Sequence, residues 1–305
     1  MNASALALGA TLYMPCTRTD LATRLFGATR IPGLRSVVLC LEDAVLERDL
    51  PQALTNLGDL LRFMANREDG PSDPMIFVRP RDARMLARIL RMPGARGLTG
   101  YVLPKANAET LPGYLALQIP EGQMLMPTLE TREACDPYEM RRLRDQLLAV
   151  HDRILALRIG GNDLMQSMGL RRSSGGTAYD GPLGTVIAML VTTFSPWGFS
   201  LSAPVMERFG DRALLRRELA RDIDHGLLTK TAIHPDQIPI IQNALAVPAR
   251  DVEEARAILD PNCLAVFAQD GVMCEPATHR VWAERILARA DVFGMADGLP
   301  INQRA

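Results

Sequence analysis

Eight short apolar runs recur along the chain, with helix-like stretches between them. They are TLYMP (11–15), SVVLCLED (36–43), MIFVRP (75–80), GYVLPK (100–105), QMLMPTLE (123–130), ILALRIGGND (154–163), GFSLSAP (198–204) and LLTKTAIHP (227–235). Most are near-continuous rather than alternating, as in strands buried on both faces of a parallel sheet. The intervening segments, such as LPQALTNLGDLLRFMANR and DPYEMRRLRDQLLAVH, space their apolar residues as helices do. Strand then helix, eight times over, predicts an α/β fold: a (β/α)8 TIM barrel over residues 1–247. Residues 248–305 are expected to form a C-terminal helical extension of the same unit, a cap or an oligomer interface. Its two helices flank CLAVFAQDGVMCE, read as a hairpin turning at Asp270-Gly271.

A chain of 305 residues suits one barrel. A formal net charge of −1 argues against nucleic acid or an anionic membrane as partner. No apolar run is long enough to span a membrane. Five scattered cysteines without a CxxC pair read as free thiols, and the expected compartment is the cytoplasm. Lys105 and Lys230 are the only lysines among 34 Lys and Arg. In so arginine-rich a chain, they are candidates for places where a compact ammonium is needed.

Barrel enzymes place their chemistry at the carboxyl ends of the strands. There the runs end in Glu42 and Asp43, Arg79, Lys105, Glu130, Asn162 and Asp163, then Lys230 and His234. Glu130 and Asp163 close consecutive runs and suit Mg2+, which takes one or two carboxylates and leaves positions for water and substrate oxygens; the competing reading is a pair of helix-capping acids. Arg79 suits a carboxylate or an enolate oxygen, or else a structural ion pair with Glu42 or Asp43. Lys105 suits a Schiff base or an electrostatic partner for the acids. Pro127, Gly161 and Asn162 are candidates for contacting substrate, and Gly160-Gly161 are expected to shape the turn that presents Asp163. His234 reads as structural. The segment RRSSGGTAYDGPLG (171–184) reads as a flexible connection or a lid.

Taken together, these residues resemble the citrate lyase β-subunit family, within the metal-dependent (β/α)8 carbon–carbon lyases. The elements that carry the resemblance are Leu41 to Val45, Arg79, Pro104-Lys105, Leu129-Glu130-Thr131, Asp163-Leu164, and Lys230, Ile233, His234, Pro235 and Gln237. The resemblance covers almost the whole chain and rests on order and spacing. It implies a Mg2+-dependent lyase cleaving a β-hydroxy acyl thioester such as citryl-, citramalyl- or malyl-CoA, or a related hydroxy or oxo acid. It implies metal on Glu130 and Asp163, enolate stabilisation by Arg79, and proton transfer by a carboxylate, Asp43 or Glu275. It also implies a homo-oligomer, a trimer in the family pattern. Two departures mark a divergent branch: Pro80-Arg81-Asp82 follows the strand-3 arginine, and Met273-Cys274-Glu275 stands where related lyases carry a late aspartate. The alternatives are an oxo-acid aldolase or decarboxylase on the same metal pair, and a non-catalytic subunit that binds small acids.

Overall fold

The eight apolar runs form eight parallel strands in a computed structural model that describes residues 3–68 and 70–296. The strands are β1 (Ala10–Pro15), β2 (Ser36–Cys40), β3 (Met75–Arg79), β4 (Gly100–Leu103), β5 (Met124–Leu129), β6 (Leu157–Ile159), β7 (Leu201–Ser202) and β8 (Lys230–Ala232). Their order is β7-β6-β5-β4-β3-β2-β1-β8. The barrel closes between β7 and β8, where the Ala203 N–H donates to the Thr229 carbonyl at 2.8 Å and the Thr231 N–H to the Ala203 carbonyl at 3.3 Å. The expected TIM barrel is the fold observed.

Helices cover the barrel: α1 (Ala3–Ala7), α2 (Leu21–Phe26), α3 (Leu50–Ala65), α4 (Ala83–Leu90), α5 (Leu111–Leu115), α6 (Pro137–Leu148), α7 (Gly161–Ser167), α8 (Pro182–Phe194), α9 (Arg212–Asp224) and α10 (Gln237–Leu245). Several start where an aspartate accepts the bond of a free helix N–H. Asp82 accepts from Met85, Asp136 from Tyr138 and Asp211 from Leu214.

Two apolar layers explain the continuous runs. Leu12, Leu39, Val78, Leu103, Leu125, Leu157 and Ala232 pack outward against the helices. Val38, Phe77, Val102, Met126 and Ala156 fill the barrel interior. Neighbouring strand residues point to opposite faces. Continuing inward from Val38, Phe77, Met126 and Ala156 therefore leads to Cys40, Arg79, Thr128 and Arg158. The inner face turns polar toward the carboxyl ends.

The extension contains α11 (Ala249–Leu259), α12 (Pro276–Phe293), the short strands β9 (Val247–Pro248) and β12 (Met295–Ala296), and the hairpin β10 (Phe267–Gln269)–β11 (Val272–Cys274). Asp270 and Gly271 both take positive φ, 50° and 79°, at the expected hairpin turn. Val247, Val252, Ala255, Ile258, Cys274, Ala283 and Ile286 give the extension its own small core. Arg289 fastens α12 to the barrel by donating to the carbonyls of Leu245 and Ala246. Residues 297–305 of the expected extension lie outside the described residues. Among the described residues, no helix is long and apolar enough to cross a membrane.

Two sequence expectations change here. Lys230 opens β8 instead of ending it, and shares the outward face with Ala232. Its ammonium is buried under α9, 2.8 Å from both Glu218 and Asp222. The segment 171–184 is anchored rather than lid-like. Arg172 is buried against Glu218, the Ala178 N–H donates to Glu218 at 2.7 Å, and the Tyr179 hydroxyl donates to Asp222 at 2.6 Å.

Candidate active site

At the carboxyl end of the barrel, a cavity of about 550 Å³ opens over the polar part of the inner face. Of the predicted site residues, Asp43, Arg79, Glu130, Gly161, Asn162 and Asp163 line it. Glu42 pairs with Arg79, and Lys105 reaches Glu42, Asp43 and Asp163 from the rim.

Arg79 is the hub. Its Nη2 lies 2.7 Å from Glu42, 3.0 Å from Glu130 and 3.3 Å from Asp43. Burial disfavours the cation, but the surrounding acids, Glu130 foremost, hold it firmly charged. The buried Nε has no partner, so the fork keeps a donor. The ion-pair reading of Arg79 therefore describes the resting chain, and a substrate role needs only the remaining donor.

Lys105 takes a left-handed backbone conformation, φ 52°, that a non-glycine residue rarely adopts. Such strain costs about 1–3 kcal/mol. The turn aims two groups at the acids. The Lys105 N–H donates to Glu130 at 2.8 Å, and the ammonium lies 3.0 Å from Glu42 and 3.4 Å from Asp163. Partial burial works against the ammonium, but these acids raise its pKa. A cation held charged in this way is an electrostatic partner and a poor Schiff-base nucleophile.

The carboxylates divide by environment. Glu42 is buried, yet its contact with Asp43 and the charges of Arg79 and Lys105 bring it down to about 2. Partial burial and the adjacent Glu42 push Asp43 up to about 7. The pair thus holds on to one proton up to about 7. Burial also raises Glu130, and the charge of Asp163 adds to that rise. Two hard oxygen donors, the charge of one felt by the other, fit a shared dication. The contacts agree: Glu42, Asp43, Glu130 and Asp163 pair with Arg79 and Lys105, and the third cation of the cavity, Arg158, has no ion pair among the described residues. Among the described residues, no three His, Cys, Asp or Glu side chains gather as a closed metal cage. The available arrangement is a carboxylate pair with open positions, the pattern Mg2+ uses.

Asp163 does not end β6. It stands in the first turn of α7, after Gly160 and Gly161. Neither glycine has a positive φ, so close approach, and not backbone freedom, explains them. A Cβ on Gly160 would lie 2.3 Å from the Glu130 Cβ, and one on Gly161 would lie 2.8 Å from Pro204. Only glycine at 160 lets the turn sit beside Glu130.

The divergent Pro80-Arg81-Asp82 segment is structural. Arg81 donates to the carbonyls of Leu41 and Val45 and pairs with Glu47, gripping the loop that carries Glu42 and Asp43. Asp82 caps α4.

Several candidates fall elsewhere. Pro127 is buried on the outward face of β5, because it alternates with the inward Met126 and Thr128; it does not line the cavity. Glu275 precedes α12 and accepts from the Thr278 hydroxyl at 3.1 Å, away from the cavity of its own chain. His234 stacks on Phe209, with ring centroids 4.8 Å apart, and leaves the lining position to its neighbour Ile233. The cavity also has residues that the run ends did not reveal: Tyr13, Cys40, Thr128, Arg158 and Thr231. All sit inside apolar runs, where only the two-residue alternation could have singled them out.

A family model described as C–C bond lyase of the TIM-barrel fold matches residues 2–295. The chain belongs to this family. It is a carbon–carbon lyase of the citrate lyase β-subunit type. Among solved structures, it is similar to protein CitE from Mycobacterium tuberculosis in complex with magnesium, acetoacetate and coenzyme A. That match has a TM-score of 0.68 and 24% identity over 94% of this chain and 99% of that one. A citrate lyase β subunit from M. tuberculosis, complexed with oxaloacetate and magnesium, matches with a TM-score of 0.60 and 25% identity over 80% of this chain and 99% of that one. RipC from Yersinia pestis matches with a TM-score of 0.59 and 20% identity over 81% and 99%. No curated protein sequence matches the chain significantly.

Proposed function

We propose that this lyase is Mg2+-dependent and cleaves a β-hydroxy acyl thioester, or a related 2-hydroxy or 2-oxo acid, by a retro-aldol or retro-Claisen step. The observation that carries the reading is the carboxylate surplus at the barrel mouth: Glu42, Asp43 and Glu130 lie 2.7, 3.3 and 3.0 Å from the Arg79 Nη2, and Lys105 reaches Asp163 at 3.4 Å. The magnesium named with CitE and with the citrate lyase β subunit supports it, as do the small oxo acids bound there. Glu130 and Asp163 would hold the ion, which supplies Lewis-acid and template chemistry when bound.

The protein's own groups do the rest. In its ionised form, Asp43 takes the proton of the substrate hydroxyl. The C–O bond becomes a carbonyl, the adjacent C–C bond breaks, and its electron pair leaves on the other fragment as an enolate. The free donor of Arg79 stabilises the enolate oxygen, and the proton on Asp43 returns to the enolate carbon. Lys105 holds Glu42 and Asp163 in place throughout, and Glu42 keeps the proton on its neighbour.

The test is product analysis with Mg2+ on malyl-, citramalyl- and citryl-CoA and the corresponding free acids. The expected result is C–C cleavage of at least one, slowed about 10²–10⁴-fold in Asp43→Asn. Bound acid and metal with no cleavage of any panel member would contradict the lyase chemistry. We also propose a homo-oligomer assembled through the extension, where Leu264, Val266, Met273 and Val281 are exposed. Light scattering that reports a monomer would contradict it.

A further inference from the structure

Below the acids, one side of the barrel interior is polar and incompletely bonded. Thr128 on β5 stands in register with Arg158 on β6, and Arg158 with Ser202 on β7. Arg158 is 1% exposed and lines the cavity. Its Nη2 donates to the Thr231 hydroxyl at 2.6 Å, and its guanidinium lies over the Tyr13 ring, 5.2 Å from the centroid. Nη1 reaches only the Met126 sulfur at 3.7 Å, and Nε has no partner. The hydroxyls of Thr128 and Ser202 are likewise buried without partners.

This arginine differs from the other buried ones. Arg79 and Arg172 each hold carboxylates, and Arg289 binds two carbonyls. Among the described residues, Arg158 has neither. Burying a cation costs several kcal/mol unless a counter-charge meets it. One hydroxyl and one aromatic face leave most of its five donors open, and the fork matches a carboxylate bidentately.

We infer that Arg158, with Thr231 and Thr128, forms an anion subsite on the cavity floor that takes a second, free carboxylate of the substrate. This deepens the free-acid form of the reading given under Proposed function and rests on it, because in malyl- or citramalyl-CoA the remote carboxyl is the thioester. The hydroxy- or oxo-acid end faces Glu130 and Asp163, and the remote carboxylate points down into the barrel. The substrate class is then a small hydroxy or oxo acid with two carboxylates, and monocarboxylates of the same length are poor ligands.

The experiment is calorimetric titration of racemic malate and racemic lactate, each in saturating Mg2+, into wild type, Arg158→Met and Arg158→Lys. Both acids offer the same hydroxy-acid end, and only malate has the second carboxylate. Wild type should bind malate at least about tenfold more tightly, the size of a charge-assisted pair. The ratio should fall to about one in Arg158→Met, an apolar replacement of similar length that buried sites often tolerate. It should take an intermediate value in Arg158→Lys, which keeps the charge and loses the fork. A wild-type ratio near one overturns the subsite, as does a ratio that survives in Arg158→Met. If Arg158→Met does not fold, the wild-type ratio and its change in Arg158→Lys decide the question. Loss of both acids' binding in wild type would instead overturn the metal-site reading, and the subsite with it.

Discussion

Two charge clusters stand on opposite sides of the barrel wall, each built around one of the chain's two lysines. Behind β8, Lys230 meets Glu218 and Asp222, Arg172 meets Glu218, and Tyr179 donates to Asp222. Every acid oxygen there has a donor, and water is excluded. At the barrel mouth, Lys105 and Arg79 meet four carboxylates. Lys105 and Asp43 are open to solvent, and the negative charge is in excess. The residue types are the same, but one set is closed and the other is incomplete. The closed set is structural. The incomplete set is where we propose that the metal and the substrate bind.

The largest expected effect separates the clusters by stability. Lys230→Met strips buried Asp222 of its cation and leaves Glu218 with Arg172 alone, and should cost about 3–5 kcal/mol in urea unfolding. Lys105→Ala removes a half-exposed cation and should cost about 1 kcal/mol or less. Equal losses would erase the distinction.

Next comes Gly160→Ala. The added methyl must displace Glu130, so unfolding should show a loss of about 1–3 kcal/mol, the range for overpacking, together with a weaker Mg2+ response. Unchanged Mg2+ affinity would separate Glu130 from the metal.

A subtler effect is on pH. Asp43 is raised to about 7, so a reaction that needs its carboxylate should lose kcat/KM as pH falls through about 7. Asp43→Asn should remove that limb. The stability effect has the opposite sign. A folded-state pKa above the unfolded one favours the native state at low pH, and that contribution is lost as pH rises from about 4 through about 7. Urea midpoints of wild type and Asp43→Asn should therefore diverge over that window without metal. They should diverge less with Mg2+, which favours the ionised acid.

Much of this arrangement could be read in the chain. Continuous runs such as SVVLC and MLMPTL can be satisfied only between an apolar barrel interior and a helix layer. Glu42, Arg79, Lys105 and Glu130 followed because polar residues that end such runs cluster at one rim. Period-two orientation was the harder signal. Pro127 and Thr128 are neighbours in one run, yet only Thr128 faces the cavity. Lys230 looked like a site residue until its pairing with Ala10 placed it at the start of β8. Arg158 was hidden inside ILALRIGG because its partners, Tyr13 and Thr231, are far away in sequence. The anchoring of residues 171–184 was equally invisible, because it depends on Glu218 and Asp222 of α9.

The most direct test of the mouth as a metal site is calorimetric titration of Mg2+ into wild type, Glu130→Ala and Asp163→Ala, with Lys230→Arg as the control from the sealed cluster. We expect saturable binding in wild type and in any folded control, weakened about tenfold or more in each acid variant. Wild-type Mg2+ affinity in both Glu130→Ala and Asp163→Ala would contradict the account.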